Sequence, residues 1–557
     1  MAELSVLIGG KAGDGVKLGS NIIARLFNRL GYNVFVYEDY PSLVRGGHNF
    51  AVVRASDKHV SANSSVVDVL IALNQETVEK HAQNIKDEGL VIFDSDVVKT
   101  DMISGVGRIG VPLSKIARDN GLPLIVRNII SFGVLAKLLG VDFSVVEDSI
   151  RAAVSKKVEE NINVARIGFD TIETKKKIPK LDNALKPLIT GNEAVALGAV
   201  KAGLKAYVAY PMTPASSILH VLAKFQDDFG IAAIHPENEI AVATMAEGLS
   251  FAGVRSMVGT SGGGFALMSE SLSFAGMAEL PVVFVLSQRP GPATGVPTYT
   301  AQADLFFSLF TGQGEFPRIV LAPGDADQAF FLSGFALNLA WKFQVPVILL
   351  IDKHLSESTF SASFDENEVK VAEAVLWDKQ GEFKRYSFSD DGVSPIAFPG
   401  DAEAVVKASS YEHDESGITV ENPKAIVEMV SKRLKKRDSI VSFVDDGEVE
   451  TVRTFGKADS DVVLVAWGST VGVVKEVGEL LGLKVVQPLF LEPFPLRKIK
   501  QAIGDAKRII CVEVNATGQL ASLLQNNGIK VNNVLLKFDG RPFFIDELKS
   551  KVEGLVR

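Results

Sequence analysis

Arg289 stands where an almost purely apolar run, Pro281–Ser287, gives way to Gln-Arg-Pro-Gly-Pro-Ala-Thr-Gly-Val-Pro-Thr (288–298). A guanidinium at the end of a buried strand and the start of a Gly/Pro-rich loop is shaped to grip a carboxylate through two parallel hydrogen bonds. A lone arginine after a strand otherwise serves a surface ion pair; the loop behind it favours the first reading. Upstream, Tyr-Pro-Met-Thr-Pro (210–214) holds Thr213 on a loop, where its hydroxyl either bonds a carboxylate or carbonyl or belongs to a rigid turn. His-Pro-Glu-Asn-Glu (235–239) puts Glu239 at the start of a helix over Ile240–Ala252. The helix dipole alone favours a carboxylate there by roughly 0.3–1 kcal/mol, and Glu237 shares that explanation. The functional alternative is a glutamate that hydrogen-bonds a cofactor ring nitrogen and shifts its protonation. Gly-Thr-Ser-Gly-Gly-Gly (259–264) follows a strand, Arg255–Val258, and opens a helix of small residues, offering backbone N–H groups to an anion.

Loops at strand ends in an open α/β sheet meet in one crevice. Four of them between Tyr210 and Tyr299 therefore define one candidate site, and a central domain over 188–440 must position it. Its expected elements include a small-residue helix at Asn192–Ala202 and a strand at Ala206–Tyr210. Pro281–Ser287 is apolar enough for a parallel strand covered on both faces. The most apolar window, Phe330–Ile351, contains Asn338, Lys342, Gln344 and Pro346. A membrane span needs about 20 uninterrupted apolar residues, so the window reads as a buried helix followed by a strand, Val347–Ile351. Residues 361–440 are a polar connecting segment ending in a helix, Pro423–Lys436. The basic run Lys432-Arg-Leu-Lys-Lys-Arg437 is what a helix C-terminus attracts, in preference to a dock for an acidic partner.

The first domain, 1–180, opens with a strand (Leu4–Ile8), a turn rich in glycine (9–15), an amphipathic helix and a strand (Asn33–Tyr37) ending in Glu38-Asp39. Three readings stay open. A dinucleotide site would use Glu38 on a ribose, but Gly10-x-x-Gly13-x-Gly15 departs from G-x-G-x-x-G. Gly13-Asp14-Gly15 resembles a thiamine diphosphate motif, but Asn33 comes too early and Asn49 too late to complete it. The loop otherwise only packs helix on strand. A second Gly-rich loop, 41–48, carries Arg45 and His48. The Lys- and Pro-rich stretch 168–187 is the best linker in the chain. A third domain, 441–557, repeats the βα pattern from Val462 onward, with strand-end loops at 468–470 and 515–519.

With 557 residues, the chain is too long for one core. Its 47% hydrophobic and 22% charged content is that of an ordinary globular protein, and a net charge of −9 gives no reason to expect nucleic acid or anionic membrane as a partner. The start of the chain lacks a basic stretch followed by a long apolar one, so no signal peptide is expected, and a cytoplasmic setting fits. Its one cysteine, Cys511, lies in an apolar strand and reads as a buried, inert thiol. An iron–sulfur cluster needs about four cysteines, so this chain alone cannot hold one.

The two long motifs at 210–214 and 288–298 resemble those of the 2-oxoacid:ferredoxin oxidoreductases, with Met212 the departure in the first. The resemblance covers nearly the whole chain and is to the α subunit, with a γ-type domain fused in front and a transketolase-type domain behind. It implies three open, mostly parallel α/β domains: the γ-type domain, a pyrimidine-binding domain and the C-terminal domain. It implies that Glu239 contacts N1′ of a thiamine diphosphate aminopyrimidine, with Gly262 and Gly263 beside the cofactor. Arg289, with Thr213 and Thr298, would grip the 2-oxoacid carboxylate. Gly13, Gly15, Arg45 and His48 would be γ-domain loop positions or coenzyme A contacts. The diphosphate site, Mg2+ and a [4Fe-4S] cluster would belong to a separate β subunit, no metal being held here, with coenzyme A as co-substrate and ferredoxin as electron acceptor. The expected activity is oxidative decarboxylation of 2-oxoglutarate or a broad range of 2-oxoacids to acyl-CoA and CO2, in a heterodimer paired as (αβ)2. Two rivals remain: an NAD(P)-dependent oxidoreductase using the first βαβ segment, and a non-catalytic scaffold.

Overall fold

The structure, a computed structural model, describes residues 3–42, 46–99, 101, 105–174, 177–447 and 449–556. Two compact units emerge: Met1–Ile189 with Glu357–Ser363 and Phe544–Ser550, and Thr190–Ser356 with Phe364–Phe543 and Lys551–Arg557.

The first unit is built on an eight-stranded sheet. Gly107–Val111, Ile85–Asp94, Val67–Ala72 and Glu3–Lys11 run parallel, in that order. His48–Ser56 then inserts antiparallel between Glu3–Lys11 and Asn33–Asp39. The strand–loop–helix–strand segment at the start is therefore not a pair of adjacent parallel strands, and His48 lies in a strand where the sequence suggested a loop. Arg54 hides that strand from a reading by hydropathy. Its guanidinium is buried, donating to the Glu3 carboxylate and to the Ala62 carbonyl oxygen at 2.7 Å. The Lys/Pro-rich stretch does not hang free. Leu181 N donates to Leu30 O, Ile178 N to Leu139 O and Tyr32 Oη to Pro179 O, strapping residues 178–186 onto this unit.

The second unit holds two sheets. Ile319–Leu321, Val347–Asp352, Val282–Gln288, Ser256–Thr260, Ala206–Val208 and Ala232–Ile234 are parallel neighbours, with Phe490–Glu492 antiparallel at one edge. A five-stranded sheet follows, in the order Val452–Gly456, Lys484–Pro488, Val462–Val465, Arg508–Glu513, Asn533–Leu536, parallel apart from its first edge. One apolar core includes Val258, Phe284 and Ile348 from the first and Val465, Trp467 and Val486 from the second. The apolar window is the helix Ala326–Phe343 followed by the strand Val347–Asp352. Among the described residues no helix is long and apolar enough to cross a membrane. Cys511 is fully buried in its strand, and burial, joined by the field of Glu513, raises its thiol pKa well above the ordinary range.

The helix that carries the basic run extends over Pro423–Asp445, so those cations sit in mid-helix and not at its end. Lys432 and Lys436, one turn apart, are buried, and both reach the Glu279 carboxylate, at 2.7 and 2.5 Å. Arg433 pairs with Glu412, and Arg385 donates to the Glu279 carbonyl oxygen and to Gln344 Oε1. The run is an internal clamp that fastens the connecting segment to the central domain. Burial alone would raise the Glu279 carboxyl, but the two lysines hold it well below the usual carboxylate range. Removing one partner from such a cluster leaves a buried charge uncompensated. Glu279→Ala is expected to destabilise the chain by roughly 3–5 kcal/mol, seen as a fall in the urea midpoint with an unchanged m-value.

Candidate active site

The site lies at the carboxyl ends of the parallel strands. The Ala206–Val208 strand leads to the 210–214 loop, Ser256–Thr260 to the glycines 262–264, and Val282–Gln288 to Arg289. A chain of contacts joins them. Glu239 is the first residue of the helix Glu239–Phe251 and is 4% exposed. A Cβ on Gly264 would lie 2.8 Å from Glu239 Cγ and 2.1 Å from Thr260 Oγ1, so only glycine lets the 262–267 helix pass this close to the carboxylate. Thr260 Oγ1 donates to Met212 Sδ at 3.9 Å. The next residue, Thr213, accepts a 2.7 Å hydrogen bond from Arg289 Nη1 on its carbonyl oxygen. Met212, the one departure in its motif, is thus a contact inside the site.

Glu239, Thr213 and Arg289 are thereby linked through one run of neighbouring residues, and several polar atoms of these loops have no protein partner among the described residues. Among the described residues no donor reaches the Glu239 carboxylate, while Arg289 Nε, Thr298 Oγ1 and Ser261 Oγ are buried and unpaired. Unpaired buried polar groups cost of order 1–3 kcal/mol each, so a ligand that bonded these three atoms would gain by doing so. Thr298 is 5% exposed. A Cβ on Gly263 would meet only the Ala293 carbonyl oxygen, at 3.9 Å, whereas Gly262 packs against the Asp304 carboxylate. Glu237 is exposed, which leaves Glu239 as the acid set into the site.

Asp304 was not legible as a site residue, because an aspartate just before a helix, here Leu305–Phe310, ordinarily reads as a cap. Its side chain makes no cap hydrogen bond. Burial raises its pKa to about 6, against the field of Arg289. Burial likewise lowers the Arg289 pKa, with Asp304 opposing. Gln288 holds the pair in register, accepting from Asp304 N at 3.0 Å on Oε1 and donating from Nε2 to Ile351 O. A second acid, Glu247, lies two turns along the Glu239 helix; it is 2% exposed and burial raises its pKa to about 9, so it is uncharged at neutral pH.

The third sheet steadies the Arg289 loop. Gln302 donates to Trp467 O and accepts from Thr470 Oγ1, and its backbone N–H reaches Val514 O. Ser469 Oγ donates to Asp352 Oδ2 at 2.7 Å, and Gln519 bonds the backbone of Ala303 and Phe306. Glu513 fills the start of the Gln519–Asn526 helix, accepting from Leu520 N and Ala521 N. The loops 468–470 and 515–519 are committed to these bonds.

The Gly-rich turn of the first unit is a different construction. Asp14 accepts from Arg127 Nη2 at 2.8 Å, and the same guanidinium reaches Asp94 at 3.2 Å. Asp14 is 5% exposed, so Gly13-Asp14-Gly15 offers a neutralised aspartate. Gly13 and Gly15 both have positive φ, and a Cβ on Gly15 would strike the Asn128 amide. Beside the turn lies a cavity of about 230 Å³ lined by Val16, Lys17, Glu38, Tyr40 and Phe50, and Glu38 is ion-paired to Lys17 at 3.1 Å. That volume falls below the roughly 300–1,000 Å³ of small-molecule sites, too little for a dinucleotide. His48 Nε2 meets His81 Nε2 at 2.8 Å, and burial lowers the pKa of both rings, that of His81 to about 4. Arg45 lies outside the described residues. Among the described residues no three His, Cys, Asp or Glu side chains form a metal cluster.

The chain is similar to known proteins along its whole length. Residues 197–432 match a family model described as "Pyruvate flavodoxin/ferredoxin oxidoreductase, thiamine diP-bdg", and residues 5–171 match "Pyruvate ferredoxin/flavodoxin oxidoreductase". A 2-oxoacid:ferredoxin oxidoreductase subunit alpha from Sulfolobus sp is 31% identical, over 100% of this chain and 97% of its own. A 2-oxoglutarate oxidoreductase subunit KorA from Mycobacterium tuberculosis is 26% identical over 98% of this chain and 91% of its own. The structure of the 2-oxoglutarate:ferredoxin oxidoreductase from Magnetococcus marinus, with 2-oxoglutarate, coenzyme A and succinyl-CoA bound, superposes with a TM-score of 0.91 at 29% identity, covering 100% of both chains.

Proposed function

This chain belongs to the 2-oxoacid:ferredoxin oxidoreductases as an alpha subunit, and we propose that it is the half of the active site that grasps the oxoacid and holds the pyrimidine of thiamine diphosphate. The observation that carries the reading is the contact chain from Glu239 through Gly264, Thr260 and Met212 to Thr213 and Arg289. The residues fit the group: an acceptor-only carboxylate at Glu239, a glycine cradle beside it, and unpaired donors at Ser261, Thr298 and Arg289. When bound, thiamine diphosphate supplies the electron sink for decarboxylation.

The chain's own residues do the following. Arg289, braced by the Thr213 carbonyl, presents its free N–H groups to the substrate carboxylate. Thr298 adds a hydroxyl. Glu239 accepts a proton-bearing ring nitrogen and fixes its protonation, and the burial around it excludes water. Gly263 leaves room beside the ring, and Gly262, set against the Asp304 carboxylate, lets the chain approach it closely. Two parts are left to another chain: the diphosphate site with its Mg2+, and the iron–sulfur cluster, which the lone Cys511 cannot carry. Both are assigned to a β subunit, with (αβ)2 as the assembly and ferredoxin as acceptor. Gly13, Gly15, Arg45 and His48 are kept as a γ-domain loop on the coenzyme A side, and the division at 1–180, 188–440 and 441–557 is kept with them. The substrate is 2-oxoglutarate or a range that includes it, supported by the substrate found in the Magnetococcus marinus enzyme.

Reconstitution tests the division of labour. The purified chain is expected to show no oxoacid-dependent reduction of a viologen dye. Adding the β subunit, thiamine diphosphate and coenzyme A is expected to restore it. Full turnover by this chain alone would refute the split.

A further inference from the structure

We propose that Asp304 regulates the charge of the oxoacid clamp, taking up a proton when a carboxylate settles on Arg289. The inference rests on Arg289 being the clamp. Four observations place Asp304 in that role. Its backbone N–H is held by Gln288, the residue before Arg289, at 3.0 Å. Its carboxylate lies against Gly262, where a Cβ would come within 2.8 Å of Oδ2. It stands at a helix start yet makes no cap hydrogen bond. It lies within the field of Arg289, yet no ion pair joins them among the described residues, and Arg289 Nη1 donates instead to Thr213 O.

The groups around the carboxyl are few. Arg289, from the end of Val282–Gln288, is the one charge whose field it registers. Gly262, from the next strand-end loop, is uncharged. The Gln288 and Gln519 amides bond the backbone at 303–306 and carry no charge either. Glu239 faces Gly264, two residues further along. Burial raises the Asp304 pKa to about 6, so a small change in local charge moves it across the working range.

The physical consequence is a linkage. Above pH 6 an ionised Asp304 partly offsets Arg289, and an incoming oxoacid carboxylate must compete with it. Seating that second anion beside Asp304 raises its pKa further, so binding draws in a proton. Below the shifted pKa the aspartic acid is neutral and the guanidinium is left wholly to the substrate. Oxoacid affinity therefore improves as pH falls through this range. Asp304 acts through Arg289 and is a positioning residue, not a catalytic one.

The test uses the reconstituted complex with 2-oxoglutarate. In the parent enzyme KM for the oxoacid is expected to fall by about fivefold from pH 8 to pH 5.5, the size of a modest charge coupling. Asp304→Asn is expected to flatten that slope, holding KM near the low-pH value at every pH. Asp304→Glu is expected to keep the slope. Asp304→Ser removes the same ionisable group and serves if the Asn variant assembles poorly. An Asp304→Asn profile parallel to the parent, or loss of turnover at every pH, would overturn the proposal. Arg289→Ala separates it from the reading beneath: if that variant keeps the parent KM, the clamp itself is wrong. If it loses affinity while Asp304→Asn keeps the slope, only the charge regulation is wrong.

Discussion

Glu239→Gln in the assembled complex is expected to lower kcat for the oxoacid by roughly 10²–10⁴-fold, the usual worth of one positioned proton-handling group. The substitution keeps the size of the side chain and its place at the start of the Glu239–Phe251 helix, so the fold and Tm should not change. What it removes is a buried carboxylate that no donor reaches among the described residues. A glutamine presents an NH2 as readily as an oxygen and no longer forces the ring nitrogen to carry the proton. Cofactor affinity should drop far less than turnover. Deuterium exchange at the thiazolium C2–H, followed by NMR in the loaded complex, gives the sharper reading: exchange should slow in parallel with kcat. Exchange at the parent rate would mean that Glu239 is a structural acid only.

Arg289→Ala is expected to raise KM for the oxoacid and to cut kcat/KM by over a hundredfold, about 3 kcal/mol for charge-assisted hydrogen bonds lost in a sheltered site. Arg289→Lys should recover little. One Nη donor already holds the Thr213 carbonyl, and only a guanidinium keeps further N–H groups for the substrate while doing so. An ammonium would have to choose. Uncharged substrate analogues should feel the substitution least, and a variant whose loss is equal for acids and their amides would argue against a carboxylate clamp.

The loops of this candidate site were readable in the chain because they come in contiguous pieces. The motifs at 210–214 and 288–298 each carry their own loop grammar, prolines and glycines that stop a strand, and the structure brings Thr213 and Arg289 within one hydrogen bond. The longer parallel strands of the second unit were legible for a similar reason, as apolar runs bounded by turn residues, whereas the short strands Ala232–Ile234, Ile319–Leu321 and Asn533–Leu536 were missed. Asp304 was not, because nothing local distinguishes an aspartate that caps a helix from one that faces an arginine fifteen residues back. His48–Ser56 was missed because Arg54 is neutralised by Glu3, a partner far away in sequence. The basic run at 432–437 misled in the same way. Its positive charges suggest an exposed helix end, and only the distant Glu279 and Glu412 show why they are buried. Long-range charge pairing leaves no periodic trace.

The carboxylate of Glu513 has a bearing on inhibitor design. Mononucleotide mimics and phosphonates find purchase where a helix begins with unclaimed N–H groups. Here the protein has placed its own acid over that spot, with Leu520 and Ala521 as donors. A fragment screen against the C-terminal region should return few acidic hits there. Medicinal chemistry would do better to begin from the unclaimed donors at Ser261, Thr298 and Arg289.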